Sequence, residues 1–490
     1  MTLKNAEDTL WFKPLQLIIL FSLLQACIAF LTDGFGFSFD EAMWQYIGRN
    51  WFRHGLTPYS GGVDNKSPLI FAVFGLSDKL FGANYWFPRI LGTICQSTGL
   101  YFVYKIAKHI AGNQAAILAL TLYGLSLLWR STGSKYVSYT ETYSVTCTII
   151  AFYMFLNAKK GSRSFISGFV AALGAGFRLS ACFGILALFI LSIRGNRKSF
   201  ILFAIGTICG ILLLMLIMLM TGISLHDFMH YAILDNFGPG SATDHSFLWK
   251  LENFSDKFFY SELILFYPAV LGYFFIKKKL DPLGIWLLCA FIGINVIGIY
   301  DRAHLKDILP VLSLTAALSI AHLINIYKVP AKQVMMIIWI TFFPKIIEPL
   351  VGLKKLFAHD VDKSENYCRE PYQRPDEGSK RKMGLWIRAN TAEQERVLVA
   401  GYGAEIQAYS ERLSPSIYFN VTQTKMAMQT FIDEINLNRP DMVAVPLFAE
   451  YIRDVVPDMR SFIHELVIKN YDLDTCLYGY DIYKIKKPNK

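Results

Sequence analysis

Four polar strings stand out in this chain because their residue types can do chemistry. In Phe39-Asp40-Glu41-Ala42, two carboxylates stand side by side in a helix-like stretch. Such a pair can take a proton from an attacking hydroxyl or hold a divalent cation, and it can equally cap the helix by satisfying free amides. In Tyr59-Ser60-Gly61-Gly62-Val63-Asp64-Asn65-Lys66-Ser67-Pro68, Lys66 comes just ahead of a proline that begins an apolar run. An ammonium there suits a phosphate at headgroup depth, or it snorkels to the interface. Arg178 sits in the Gly174-to-Ser180 turn between two short apolar runs, where a charge is expensive and functional by default. In Tyr300-Asp301-Arg302-Ala303-His304-Leu305-Lys306-Asp307, Arg302 and His304 can join Lys66 in a basic pocket for a phosphate or pyrophosphate. The competing arrangement is mutual pairing of Asp301, Arg302, Lys306 and Asp307. Glu141 opens a further apolar run as another buried acid, and it stands with Tyr59 as a candidate substrate contact.

Other strings carry less. Gly401 and Gly403 follow a strand-like segment and precede a helix-like one, but the third glycine of a dinucleotide fingerprint is missing. His226, His230 and His245, with Asp227, Asp235 and Asp244, lack zinc spacing and read as a solvated loop. Asn65, Asn253 and Asn420 open glycosylation sequons, which matter only in a eukaryotic lumen.

The elements that position these residues are mostly membrane helices. The chain has 490 residues, 53% hydrophobic and only 18% charged, with mean hydropathy +0.35. That excludes an ordinary soluble enzyme, a coiled coil, collagen and disorder. Apolar runs occupy 14–32, 86–104, 114–130, 138–157, 164–177, 180–193, 199–221, 258–276, 283–300, 306–326 and 333–352, which predicts roughly eleven spans. The runs flanking Arg178 are short and need a thin bilayer, a tight hairpin or burial in the bundle. The net charge of +10 is spread in short basic clusters between runs, a topology pattern that argues against a nucleic-acid partner. If 67–82 lies on the outer face as a juxtamembrane helix, the clusters at Lys105, Lys159, Arg194, Lys277 and Lys328 all fall on the cytoplasmic side with the N-terminus. The run at 14–32 then reads as a retained first span.

This arrangement predicts a transmembrane domain over 1–353, with an extracytoplasmic juxtamembrane loop at 33–85, and an extracytoplasmic α/β domain over 354–490. In the latter, 396–400, 416–419 and 442–446 read as strands. The segments 404–412, 425–438 and 461–470 read as helices, and a hairpin around Leu477 and Ile482 closes the domain. Six of the eight cysteines lie in apolar runs. Cys368 and Cys476 lie in polar sequence, where an oxidising compartment allows a disulfide.

Taken in order, these features resemble the large membrane glycosyltransferases of the GT-C fold, in the branch of bacterial aminoarabinose transferases and protein O-mannosyltransferase-like proteins (glycosyltransferase family 39 type). The carriers are Asp40-Glu41, Asp64-Asn65-Lys66-Ser67-Pro68-Leu69 leading into Phe81-Gly82-Ala83-Asn84 and Arg89, Glu141, the turn ending in Arg178, and His304 followed by Leu309-Pro310. The resemblance covers essentially the whole chain. It implies a polytopic α-helical membrane enzyme of a bacterial inner membrane, moving a sugar from a polyprenyl-phosphate donor to an envelope lipid, glycan or protein on the extracytoplasmic face. It maps the catalytic acid to Asp40, with Glu41 beside it, and the basic residue on the lipid phosphate to Lys66, with Arg178, Arg302 and His304 as further cations. The sequence departs from the family at Asn65, where an acid is frequent, at Ser67, where a second proline is frequent, and at Arg178, where lysine is common. No nucleotide site is needed; a divalent metal ion is the one cofactor left open, and no metal ligand is assigned. A competing class, a transporter or flippase of lipid-linked sugars, calls for an inverted repeat that the sequence lacks; a non-catalytic envelope-assembly factor is a third reading.

Overall fold

The computed structural model describes residues 13–31, 36–129, 136–158, 161–236, 246–277, 280–300, 302–344, 346, 377–420, 427–447, 451 and 455–486. The chain folds as two compact units. The first takes Met1–Thr32, Pro88–Met218 and Ala242–Lys355, and the second takes Asp33–Phe87, Leu219–Ser241 and Leu356–Lys490.

In the first unit the apolar runs are helices: Pro14–Leu31, Trp86–Ser126, Thr140–Leu156, Gly161–Ala175, Cys182–Arg194, Arg197–Met220, Pro282–Ile297, Leu309–Tyr327 and Ala331–Phe342. The longest is two helices joined at Gly112, whose φ of 82° is non-helical. Crossing a ~30 Å hydrocarbon layer at about 1.5 Å per residue takes roughly 20 residues. Among the described residues, Arg197–Met220 and Leu309–Tyr327 are long and apolar enough, and a third span results if Phe247–Phe259 and Glu262–Ile276, bent by 52°, act together. Apart from Trp86–Ser126, which is broken at Gly112, the other apolar helices are shorter, Cys182–Arg194 having 13 residues. The two full-length helices differ in surroundings. Leu309–Tyr327 is buried along most of its length, while Arg197–Met220 exposes Ile201, Ile205, Ile208, Leu212, Leu216 and Leu219, a stripe suited to lipid.

The second unit is built round a four-stranded sheet in the order β1-β2-β4-β3, with β1 (Val397–Val399), β2 (Met442–Pro446), β3 (Tyr471–Leu477) and β4 (Tyr480–Ile485). β1 and β2 are parallel, and the β2–β4 and β4–β3 pairs are antiparallel. Strand alternation sends Leu398 and Val443 to one side, against Phe431, Ile435, Met459 and Ile463. Val397, Val399, Met442 and Ala444 go to the other, against Met383, Ile387 and Ile406.

Two sequence expectations for this region are corrected. Residues 416–419 form no strand, because side chains take up the backbone groups a ladder would use: the Ile417 amide donates to Glu434 Oε2 and the Tyr418 amide to Ser416 Oγ. The last helix runs Pro457–Asn470 and so begins before residue 461, since proline at its first position is pre-set for a helix.

The loop helices Phe39–His54 and Pro68–Phe81 belong to this same unit. They cross at two glycines: a Cβ on Gly48 would stand 2.4 Å from the Gly75 amide nitrogen. Arg49, buried in the unit, donates to the carbonyls of Ala408 (2.8 Å) and Gln407 (3.1 Å). Tyr46 stacks on Phe419 and accepts a hydrogen bond from the Ser414 amide. The composition change near residue 354 therefore marks where this unit resumes, not where it begins.

Candidate active site

In the second unit the two neighbouring acids have separate environments. Glu41 is fully buried, and its carboxylate accepts from the Ser38 amide at 2.9 Å, closing a capping box at the start of helix Phe39–His54. Asp40, in the same first turn, is half-buried. The expected acid pair is thus one cap and one acid near the surface.

The string from Tyr59 to Pro68 is locked by its own side chains. Tyr59 has φ 73° and a buried ring, and its hydroxyl donates to the Lys66 carbonyl at 2.6 Å. Burial drives the Tyr59 phenol well above its ordinary range, with Asp64 adding to the effect, so it stays a donor. Asp64 accepts from the Trp44 indole at 2.8 Å and from the Asn65 amide at 2.7 Å. Lys66, half-buried, donates to the Asn65 side-chain oxygen at 2.6 Å, and Ser67 and Pro68 then start the next helix. The local fold spends the Tyr59 hydroxyl on holding the backbone that presents Lys66. Behind it, buried Asp78 receives Arg53 at 2.5 Å and Gln45 at 2.6 Å; burial raises its carboxyl despite the two nearby arginines, Arg49 and Arg53.

In the first unit three breaks between helices bring a second set of charges together. Glu141, at the start of helix Thr140–Leu156, lies 2.6 Å from Arg178, in the break before Leu179–Ala181. Asp307, in the turn Arg302–Asp307, lies 3.6 Å from Arg178 and accepts from Ser180 at 3.0 Å. His304 Nε2 stands 3.7 Å from Glu141. Lys306 donates to the Tyr136 carbonyl at 2.5 Å and to Thr142 at 3.2 Å. Arg178, Glu141 and His304 are thus gathered as expected site residues, while the Arg302 side chain, Asp301 and His245 lie outside the described residues. Lys306 and Asp307 were not singled out as site residues. The signal for them was the charge density of 301–307 at the head of an apolar run.

Among the described residues no three His, Cys, Asp or Glu side chains converge as a metal set. His226 pairs with Asp227, and His230 lies 3.8 Å from Asp235.

Residues 65–223 match the family described as dolichyl-phosphate-mannose-protein mannosyltransferase. No curated protein sequence matches the chain. Among solved structures, ArnT from Cupriavidus metallidurans bound to undecaprenyl phosphate aligns over 96% of this chain and 97% of its own, with TM-score 0.60 and 11% identity. In its apo state the TM-score is 0.63. The Archaeoglobus fulgidus oligosaccharyltransferase in complex with zinc and sulfate aligns over 95% of this chain and 73% of its own, with TM-score 0.56 and 14% identity. The chain has the GT-C glycosyltransferase fold.

Within this GT-C fold the candidate residues of each unit come from departures from regular helix. Asp40 sits in a first turn, Lys66 precedes a helix, and Glu141, Arg178 and Asp307 cluster at ends and breaks. Polar groups are placed there because helix ends have unsatisfied backbone groups and sharp changes of direction.

Proposed function

We propose that this chain is an integral membrane glycosyltransferase that moves a sugar from a polyprenyl-phosphate donor to an acceptor hydroxyl or phosphate on the extracytoplasmic face. The observation that carries the reading is the end-to-end likeness to ArnT, a structure bound to undecaprenyl phosphate. Lipid A, an envelope polysaccharide and a protein all fit as acceptors. The finer topology belongs to the same proposal: about eleven crossings, an N-terminus in the cytoplasm of a bacterial inner membrane, and the second unit outside.

In this reaction the acceptor O–H loses its proton to Asp40 as its oxygen attacks the anomeric carbon. The bond from that carbon to the lipid phosphate breaks through an oxocarbenium-like state, and the phosphate leaves with the electron pair. A cation must meet the charge that grows on the leaving phosphate, and Lys66 fits best. Its ammonium meets an amide oxygen, not a carboxylate, so its charge is uncompensated by its hydrogen-bond partner. Arg178 is held between two carboxylates, and we assign it a bracing role alongside any contact with donor.

The test is transfer by purified protein from a labelled panel of polyprenyl-phosphate sugars to an extracted envelope fraction. Transfer by the natural protein and its loss in Asp40→Asn support the proposal. Absence of transfer from every donor, with donor binding intact, would move the assignment to lipid transport.

A further inference from the structure

A pocket of about 390 Å³ lies in the second unit, far along the sequence from Asp40 and Lys66, between the helix Pro457–Asn470 and the face of the sheet. Its volume falls at the lower end of the range for small-molecule sites. Tyr451 and Tyr483 contribute rings, Arg460 and His464 nitrogen groups, Ser461 a hydroxyl and Val445 part of the floor.

The chemistry of the wall is selective. Arg460 and His464 are four residues apart, so they share one face of their helix. Among the described residues Arg460 uses only its Nε, donating to the Val455 carbonyl at 3.2 Å. Its planar fork of terminal N–H groups is thereby oriented by the backbone and left for a ligand. Ser461 donates to the Pro457 carbonyl, which leaves its oxygen as an acceptor. Among the described residues no carboxylate lines the pocket; Asp481 accepts from the Tyr483 hydroxyl but is not part of the wall. A planar cation suits a carboxylate or phosphate, aromatic faces suit the C–H face of a sugar ring, and the hydroxyls suit its OH groups.

We propose that this pocket binds an anionic saccharide, a pyranose bearing a carboxylate or phosphate, with Arg460 on the acid group and a tyrosine ring against the sugar. That the saccharide is part of the acceptor rests on the glycosyltransferase reading; the binding itself does not.

The experiment titrates the full chain in lipid nanodiscs with D-glucuronate, D-glucose and inorganic phosphate, followed by saturation-transfer NMR. Glucuronate is expected to bind saturably, with contact to its ring protons, and glucose to bind about tenfold more weakly or not at all. Arg460→Gln weakens glucuronate by about tenfold. His464→Gln, at an exposed position, also weakens it and serves as the second variant if the first folds poorly. Equal binding of glucose, displacement of glucuronate by an equal concentration of phosphate, or indifference to both substitutions overturns the proposal. Because the readout is binding, a failed transfer reaction leaves this result separately visible.

Discussion

Arg178 and Glu141 form a buried ion pair at 2.6 Å, each supplied by a different interruption of the helical bundle. Asp307 is a second anion near Arg178, and Lys306 a second cation in the same cluster. Among the described residues of this cluster two formal positives meet two formal negatives, and His304 adds a charge only when protonated. Removing Arg178 alone leaves buried Glu141 and half-buried Asp307 under-compensated. Breaking a buried pair in this way costs roughly 3–5 kcal/mol, whereas replacing both partners together is far milder. Arg178→Met is therefore expected to lower the unfolding temperature of the detergent-solubilised protein, and Arg178→Met with Glu141→Gln to recover part of the loss. A double variant no more stable than the single one would show that the pair is not coupled.

The separation of Asp40 from Glu41 makes their roles distinguishable. Glutamine at the third helical position keeps a capping box, because its side-chain oxygen can still accept from the Ser38 amide. Glu41→Gln should retain transfer to within a few-fold, while Asp40→Asn loses roughly 10²–10⁴-fold, the usual worth of a general base. Initial rates at saturating donor measure both. A dead Glu41→Gln beside an active Asp40→Asn would exchange the two assignments.

Helical runs and their charges were legible because lipid surroundings write long apolar segments into the sequence, as at Arg197–Met220. That Arg178 needs a partner was legible for the same reason, a charge being costly between apolar runs. Its partner Asp307 was not, since the two are brought together only by the turn Arg302–Asp307. Nor could the joining of loop 33–87 to the C-terminal segment be read from composition. The bonds that make it, such as Arg49 to the Ala408 carbonyl, connect a side chain to backbone atoms that any residue carries. The same holds for 416–419, whose apolar and aromatic residues look like a strand until Glu434 claims the Ile417 amide.

Gly48 and Gly75 set the spacing of the two helices that carry Asp40 and follow Lys66. A methyl group on Gly48 would meet backbone at 2.4 Å and 2.5 Å, and one on Gly75 would meet the Gly48 carbonyl at 2.6 Å. Backbone cannot swing aside like a flexible side chain, so Gly48→Ala should destabilise the protein by about 1–3 kcal/mol. Gly99 is the internal control, because its added methyl would make an ordinary contact with Ile149 at 3.4 Å. There alanine gains up to about 1 kcal/mol of helix propensity. Thermal unfolding of the two variants should therefore shift in opposite directions or leave Gly99→Ala unchanged; equal losses would show that tight helix crossing is not the cause.

Cys476, at the end of β3, is disulfide-bonded, whereas Cys27, Cys95, Cys147, Cys182, Cys209 and Cys289 are free thiols; Cys368 lies outside the described residues. A disulfide in the second unit persists only in an oxidising compartment, which ties its presence to the extracytoplasmic side in the proposed topology. Protein purified without reductant and then denatured should titrate six of its eight cysteines, and all eight after reduction. Expressed with its second unit retained in a reducing cytosol, the protein should titrate all eight at once. The disulfide restrains the unfolded chain, so Cys476→Ser is expected to cost about 2–4 kcal/mol, read as a lower unfolding temperature that added reductant no longer changes. Eight titratable thiols in membrane-purified, unreduced protein would remove both the bond and the topological argument drawn from it.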